Sequence, residues 1–396
     1  MKRFTILLFL VATAAMAQKP RPDAFDPLPD TLGSKAVVMA ATLEEMASWD
    51  RYPTYSVYLD MMQHFADTYP DLCHIDTIGR SVTGRLILSL YITGSEPNDL
   101  VRPEFFYSSS MHGDEIAGFY LMLRLCDTLL SSYGTSQPIT QLLNSTRISI
   151  NPLSNPDGTY RGGDNTVARA MRYNHNYVDL NRNYPDPFGT DPLDTLQIEN
   201  QAMINYVSRH NFLLSANIHG GSEVMNYPWD SFTSSQCLNE HSEWWQQVSK
   251  RFVDTCRLVD NNRFRDVCSE GYINGGDWYV ISNGRQDYFN YYHNLREITI
   301  EISTSKTLPN SRLNSYWNCT SHSLINFINE IHHLNNDTVL TIPAPTAPQL
   351  IAHPNPTHGP VVIDGLRSTY HFDLSGRPAG LYILRVENHP VKVVKY

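Results

Sequence analysis

The 396-residue chain is poor in positive charge: 18% of its residues are charged, with 30 Lys and Arg against 40 Asp and Glu, for a formal net charge of -10. Nucleic acid and anionic membranes both reward a basic surface, so neither is expected as the main partner, whereas a cationic ligand is modestly favoured. Long apolar runs are also lacking. Past the first residues no window has the length and apolarity of a bilayer-spanning helix, so no transmembrane segment is expected in the mature protein. Cysteine is sparse, with six residues and none at zinc-finger spacing. No internal repeat or low-complexity tract is present. What remains, 41% hydrophobic residues in a chain of this length, is enough to bury a large core and to fill two or three domains.

The opening stretch, "MKRFTILLFLVATAAMAQ", carries Lys2 and Arg3, then an apolar run too short to cross a membrane, then Ala15-Met16-Ala17. That pattern reads as an export signal over 1–17, cut before Gln18, and points to a secreted or cell-surface protein. In an exported chain Cys73, Cys126, Cys237, Cys256, Cys268 and Cys319 could form up to three disulfides, and Cys256 with Cys268 is one candidate pair. Buried free thiols are the alternative.

Residues 18–44 are rich in Pro and Asp and read as an extended lead-in. Helical spacing starts in "TYSVYLDMMQHFADTYP", where Tyr55, Tyr58, Leu59, Met62 and Phe65 share a face. "HIDTIGRSVTGRLILSLYITG" alternates around a glycine-containing turn, as paired strands do. Helix-like and strand-like segments then alternate to about residue 335, including strands in "RISINPLSNPDG" and "LLSANIHGG" and a helix over "SEWWQQVSKRFVDTCRLV". Such alternation predicts an α/β domain over 45–335, with ligands at loops beyond the strand ends. A Pro-rich linker follows at 336–349. The tail, 350–396, alternates Val, Ile, Leu and Tyr between Gly and Pro, and reads as a small β module.

One short segment carries chemistry: "SSSMHGDEIAG" places His112 and Glu115 three residues apart between a predicted strand and a predicted helix, with Gly113 to let the chain turn. Imidazole and carboxylate at that spacing can converge on one zinc, but a catalytic site needs a third protein ligand and an open position for water. His219, at a predicted strand end before two glycines, is the candidate third ligand. Between these segments "ARAMRYNHNYVDLNRNYPD" puts Arg172, Asn181 and Arg182 in a loop. Farther on, the strand "REITIEIS" puts Glu297, Thr299 and Glu301 on one side.

Together these segments resemble the zinc metallocarboxypeptidases, and among them the regulatory enzymes related to carboxypeptidases N, E and D. The resemblance covers roughly residues 45–335 and rests on several motifs in family order. "IGRSVTGRLILSLYIT" is similar to the early strand pair, "HGDE" to the first zinc motif, "NPDG" and "VDLNRNYPD" to the substrate-binding loop, and "SANIHGGSEVMNYPWD" to the third-ligand segment. "DWY", "RQDY" and "EITIEIS" follow. The implied fold is a mixed, mostly parallel central sheet flanked by helices, followed here by the small C-terminal β module.

Residue by residue, the resemblance makes His112, Glu115 and His219 the ligands of one Zn2+ and leaves a fourth position for water, whose pKa zinc lowers to about 7. Glu301 matches the general base, and Arg172, ten residues before Arg182, the arginine that polarises the scissile carbonyl. Asn181 and Arg182 match the clamp on the substrate's terminal carboxylate, Tyr279 the mobile tyrosine that closes over substrate, and Asp179 a carboxylate that orients a zinc-bound imidazole. Glu297 takes a structural role. Asp230, eleven residues after His219, matches the acid that holds a C-terminal Lys or Arg, with Gln286 beside it.

One departure concerns specificity: "NGRQDY" stands where the family usually has Gly-Gly-Met before Gln-Asp-Tyr. If Arg285 points into the pocket it weakens selection for basic residues and could admit an acidic one; if it points away, nothing changes. The implied function is hydrolysis of the C-terminal peptide bond of peptides or proteins, preferring Lys or Arg. Its alternatives are other substrates, such as cell-wall peptides or acidic C-termini, and a non-catalytic module that binds peptide C-termini. The tail resembles the sorting domain of proteins exported by the bacterial type IX secretion machinery, in an abbreviated form.

Overall fold

The computed structural model describes residues 37–95, 102–189, 192 and 194–334, and in the tail 351–353, 360–364, 369–373, 375, 380–386 and 389–395. The expected export signal, most of the lead-in and the linker over 336–349 lie outside the described residues. Among the described residues, no helix is long and apolar enough to cross a membrane.

An eight-stranded mixed sheet organises the central region. Its strands are β1 (Cys73–Arg80), β2 (Leu86–Ile92), β3 (Glu104–Ser109), β4 (Arg147–Asn151), β5 (Phe212–His219), β6 (Ser222–Tyr227), β7 (Tyr272–Asn274) and β8 (Arg296–Ser303). In space they run β1-β2-β4-β3-β5-β8-β6-β7. The inner four, β4, β3, β5 and β8, are parallel, while β1 and β2 join antiparallel on one side and β6 pairs antiparallel with β8 on the other.

Helices cover the sheet: α1 (Tyr55–Thr68), α2 (Ala117–Ser131), α3 (Gln137–Ser145), α4 (Ile198–Ser208), α5 (Ser242–Val259), α6 (Arg285–His293) and α7 (Asn310–Asn329). The predicted segments fall on these elements. α1 is capped by Thr54, whose hydroxyl accepts from the Val57 N–H at 3.4 Å, and it buries Tyr58, Met62 and Phe65 of the expected face. The β1–β2 pair turns through Gly84, whose φ of +91° suits glycine. The tail forms antiparallel strands, β9 (Ile351–His353), β10 (Pro360–Asp364) and β11 (Thr369–Asp373) in one sheet and β12 (Gly380–Val386) with β13 (His389–Lys395) in another.

Because helices cover both faces, the central strands are buried on both, and their two faces differ in chemistry. Leu214, Ala216 and Ile218 of β5 and Ile298, Ile300 and Ile302 of β8 enter the larger apolar core. Burying each Leu or Ile side chain there contributes about 1.5–3 kcal/mol. The alternate positions are polar: Ser215, Asn217 and His219 on β5, and Glu297, Thr299 and Glu301 on β8. The chain passes from β3 to β4 on one side and then to β5 on the other, so the order reverses at β3 and β5. Ligands bind at such switch points, beyond the carboxyl ends of the strands.

The cysteines take the second of the two readings left open for them. All six are free thiols, and Cys256 and Cys268 do not pair. Cys256 faces α7, with its sulfur 3.2 Å from the Ser323 hydroxyl, whereas the Cys268 thiol donates to the Tyr272 carbonyl at 3.5 Å.

Candidate active site

The metal cluster straddles the switch point. β3 ends at Ser109; Ser110 takes φ +54° and its hydroxyl donates to the Glu115 carbonyl at 3.0 Å, closing the turn that carries His112 and Glu115. Gly113 is needed here for space rather than for an unusual φ. A Cβ on it would lie 2.4 Å from the Gly158 backbone. The "NPDG" segment therefore buttresses the metal turn: Asn155 Nδ2 donates to the Met111 carbonyl at 3.1 Å and Thr159 to the Gly113 carbonyl at 2.8 Å. Of the expected substrate loop, it is instead Asp179 that reaches the cluster, with Oδ1 3.2 Å from His112 Nε2. From β5, His219 is in register with Glu301 of β8.

His112, Glu115 and His219 are 3%, 3% and 2% exposed, and one ligand atom of each lies within 4.8 Å of the others. Both imidazoles turn Nδ1 inward: Glu115 Oε1 is 3.0 Å from His112 Nδ1, and Oε2 is 2.9 Å from His219 Nδ1. Their Nε2 atoms face outward, 3.2 Å from Asp179 Oδ1 and 2.6 Å from the Asn217 side-chain amide. Asp179, an acceptor, is a partner of the kind that fixes the ring orientation and tautomer of His112. Burial pulls His219 down to about 4, which keeps it the neutral imidazole that ligates a metal. Burial would raise Glu115, but His112 and His219 against it hold it well below the usual carboxylate range.

Cations complete this charge balance. Arg172 donates through Nε to Asp179 Oδ2 at 2.9 Å and places Nη1 3.6 Å from Glu115 Oε1. Lys306, which the motifs did not single out, reaches Asp114 Oδ2 at 2.9 Å and Glu115 Oε1 at 4.0 Å. Asp179 also accepts from the Asn181 N–H at 2.9 Å, which starts the short turn Leu180–Arg182 beside the cluster. Glu301 is buried beside the cluster, and its Oε2 has no partner among the described residues. Burial, reinforced by Glu115, pushes its carboxyl well above the ordinary value. A His2Glu donor set with an unpartnered carboxylate oxygen next to it fits a zinc site with an open position.

The second half of the cleft hangs from the first turn of α6. Arg285 N–H donates to Asn181 Oδ1 at 2.9 Å. Gln286 Oε1 accepts from the Thr299 N–H at 2.7 Å, so its Nε2 is aimed at Asp230 Oδ1, 2.8 Å away. Asp287 accepts from the Asp230 and Ser231 N–H groups at 2.9 Å each. Asp230 is thus fixed and buried. Burial raises its carboxyl well above the usual range, the Asp287 charge adds to the rise, and Asp287 itself is pushed up to about 6. Tyr279 turns into the same cleft, where burial and Glu301 raise its phenol while Arg182 and Arg172 oppose the rise.

Arg285 answers the question its departure raised. It is 0% exposed and points away from the pocket, under α6, where Nε and Nη2 donate to Glu297 Oε1 and Oε2 at 2.9 and 3.0 Å. Its guanidinium lies over the rings of Phe106 and Phe289 at 5.4 and 5.1 Å, and Ser215 donates to Glu297 Oε2 at 2.8 Å. Nε and Nη2 are thus held by Glu297, while the buried Nη1 has no hydrogen-bond partner among the described residues.

A family model for zinc carboxypeptidases, peptidase M14, matches residues 58–323. The chain belongs to the zinc carboxypeptidase family. It is similar to carboxypeptidase M of Mus musculus, 35% identical over 284 residues that cover 68% of this chain and 63% of the relative. It is also similar to carboxypeptidase D of Rattus norvegicus, 33% identical over 71% of this chain and 21% of the relative. The chain therefore spans less than two thirds of the former and about a fifth of the latter. In fold it matches the solved carboxypeptidase A from Helicoverpa armigera, with a TM-score of 0.63 and 19% identity over 75% of this chain and 78% of the other. Thrombin-activatable fibrinolysis inhibitor gives 0.62 and 17% over 73% and 76%. The family implies zinc, and the His-Glu-His cluster could bind it.

Proposed function

We propose that this protein is an exported zinc metallocarboxypeptidase that releases C-terminal Lys or Arg from peptides and proteins. The observation that carries the reading is Glu301, buried, unpartnered at Oε2 and in register with His219. His112, Glu115 and His219 would hold zinc, which when bound supplies a Lewis acid and lowers the pKa of water.

The rest is chemistry of the chain's own residues. Glu301 takes the proton of the attacking water and returns it to the leaving amine; its raised pKa suits both tasks. Arg172, buried and permanently charged, stabilises the oxyanion that develops on the scissile carbonyl. Arg182 and the Asn181 amide grip the terminal carboxylate, which confines cleavage to the last residue. Asn181 Oδ1 is already engaged by the Arg285 N–H, leaving Nδ2 as its donor to substrate. Tyr279 closes over the bound end, and Asp179 orients His112.

For the side-chain pocket, Asp230 supplies the countercharge to a basic residue and Gln286 holds it in place. The inward course of Arg285 removes the support for acidic C-termini. Export rests on the N-terminal Lys2-Arg3, apolar run and Ala15-Met16-Ala17, and passage through the type IX machinery on the likeness of the β-rich tail.

The test is release of the last residue from matched peptides ending in Arg, Lys, Phe or Glu, with and without a zinc chelator. Chelator-sensitive release of Arg and Lys is expected. Release of Phe or Glu alone would refute the pocket, and no release from any peptide would favour a module that only binds peptide C-termini.

A further inference from the structure

Asn226 was not among the residues the motifs pointed to, yet it sits on the pocket side of the sheet. It pairs across β6 and β8 with Thr299, and residues opposite each other in an antiparallel pair project to the same face. That is the face of Glu297 and Glu301. Asn226 is 7% exposed, and its Oδ1 is buried with no hydrogen-bond partner among the described residues. An acceptor removed from water and left without a donor is costly, so such atoms call for an explanation, and a ligand donor is one.

The surroundings supply the direction. The space above the Gly275 Cα is bounded by two oxygens: a Cβ there would lie 1.9 Å from Asp230 Oδ1 and 2.6 Å from Asn226 Oδ1. Asp230 Oδ1 is already taken by Gln286 Nε2, while Oδ2 faces the Gly284 side of the pocket, 3.7 Å from where a Cβ on Gly284 would be. The basic pocket therefore ends in a charged acceptor and a neutral one, supplied by different segments.

We propose that Asn226 is a specificity-determining residue that makes the pocket select C-terminal arginine over lysine, its Oδ1 accepting one N–H of a guanidinium whose other donors engage Asp230. A planar guanidinium offers several donors in a fixed fork and can serve two separated acceptors at once. An ammonium group is a compact, strongly hydrated point charge that gains less from a second, neutral acceptor. The inference rests on the Lys and Arg reading above.

The experiment compares wild type with Asn226→Ala on matched peptides ending in Arg, Lys and Phe, separating kcat from KM. Wild type should prefer Arg to Lys, and the variant should lose about tenfold of that preference, carried by KM for the Arg peptide, as expected for one hydrogen bond from a charged donor. An unchanged Arg-to-Lys ratio would overturn the role of Asn226 while leaving the basic pocket standing. Failure of wild type to release either residue would instead refute the basic pocket itself. Should the variant not fold, inhibition of wild type by free arginine and free lysine decides: tighter inhibition by arginine supports the assignment, and equal or weaker inhibition overturns it.

Discussion

The metal cluster and the side-chain pocket lie on the same face of one sheet, but they hold their carboxylates in opposite ways. Glu115 is surrounded by groups that favour its charge: His112 and His219 at about 3 Å, Arg172 at 3.6 Å and Lys306 at 4.0 Å. Asp230 faces a second carboxylate, Asp287, and the amides of Gln286 and Asn226. The first arrangement is matched within the protein and preorganised for a cation of fixed position. The second is not matched in this way, and under the proposed Lys and Arg specificity a cationic side chain would complete it.

The largest expected effect breaks the metal side without touching the pocket. Glu301→Gln should lower kcat about 10²–10⁴-fold, the usual contribution of a positioned general base, while zinc content and peptide binding persist. A kcat close to wild type would remove Glu301 from the mechanism.

Next comes the strut beneath the pocket. Arg285→Met leaves Glu297 buried without its cation and should cost about 3–5 kcal/mol in denaturant unfolding, whereas Arg285→Met with Glu297→Leu should recover most of it. Equal stability of Arg285→Met and wild type would mean that the pair does not hold α6 to β8. Asp230→Ala, by contrast, should act on selectivity: kcat/KM for Arg and Lys peptides should fall about 10²-fold, with the Phe peptide spared. Uniform losses on all three would indicate damage to the fold.

The two regions also differ in how far the sequence exposed them. "HGDE", "IHGG" and "EITIEIS" could be read because a metal demands particular side chains at strand ends, and strand alternation assigns Glu297 and Glu301 to one face. The fate of Arg285 was not readable. Its direction depends on Glu297, which the fold brings beneath α6 from β8. Asn226 carries no motif of its own, and only the register with Thr299 turns it toward the pocket. Lys306 reaches Asp114 across the sheet, a contact that no spacing announces. Gly113 suggested a turn by its type, whereas the structure requires it for the close approach of Gly158. The thiols show the same limit: Cys256 and Cys268 are neighbours in sequence, but α5 carries Cys256 toward α7.

The smallest effect, in pH, addresses the comparison itself. Burial raises Asp287 to about 6 and Asp230 well above its ordinary value, so in the folded protein both favour the protonated form more than they do unfolded. Their stabilising contribution is therefore fully present below the unfolded pKa and is lost as pH rises through their folded values, which for Asp287 is about 6. Binding of a basic side chain has the opposite sign, because it needs the ionised pocket. The most direct measurement is the ratio of kcat/KM for an Arg peptide to that for a matched Phe peptide, followed as pH is raised, since burial holds the Asp230 carboxyl well above its ordinary value. Titration at the metal cluster and at Glu301 is common to both substrates and cancels in the ratio. A ratio that rises with pH as Asp230 ionises, by up to about tenfold per pH unit, is the expected result. A ratio that stays flat or falls would contradict a pocket whose charge is completed by its ligand.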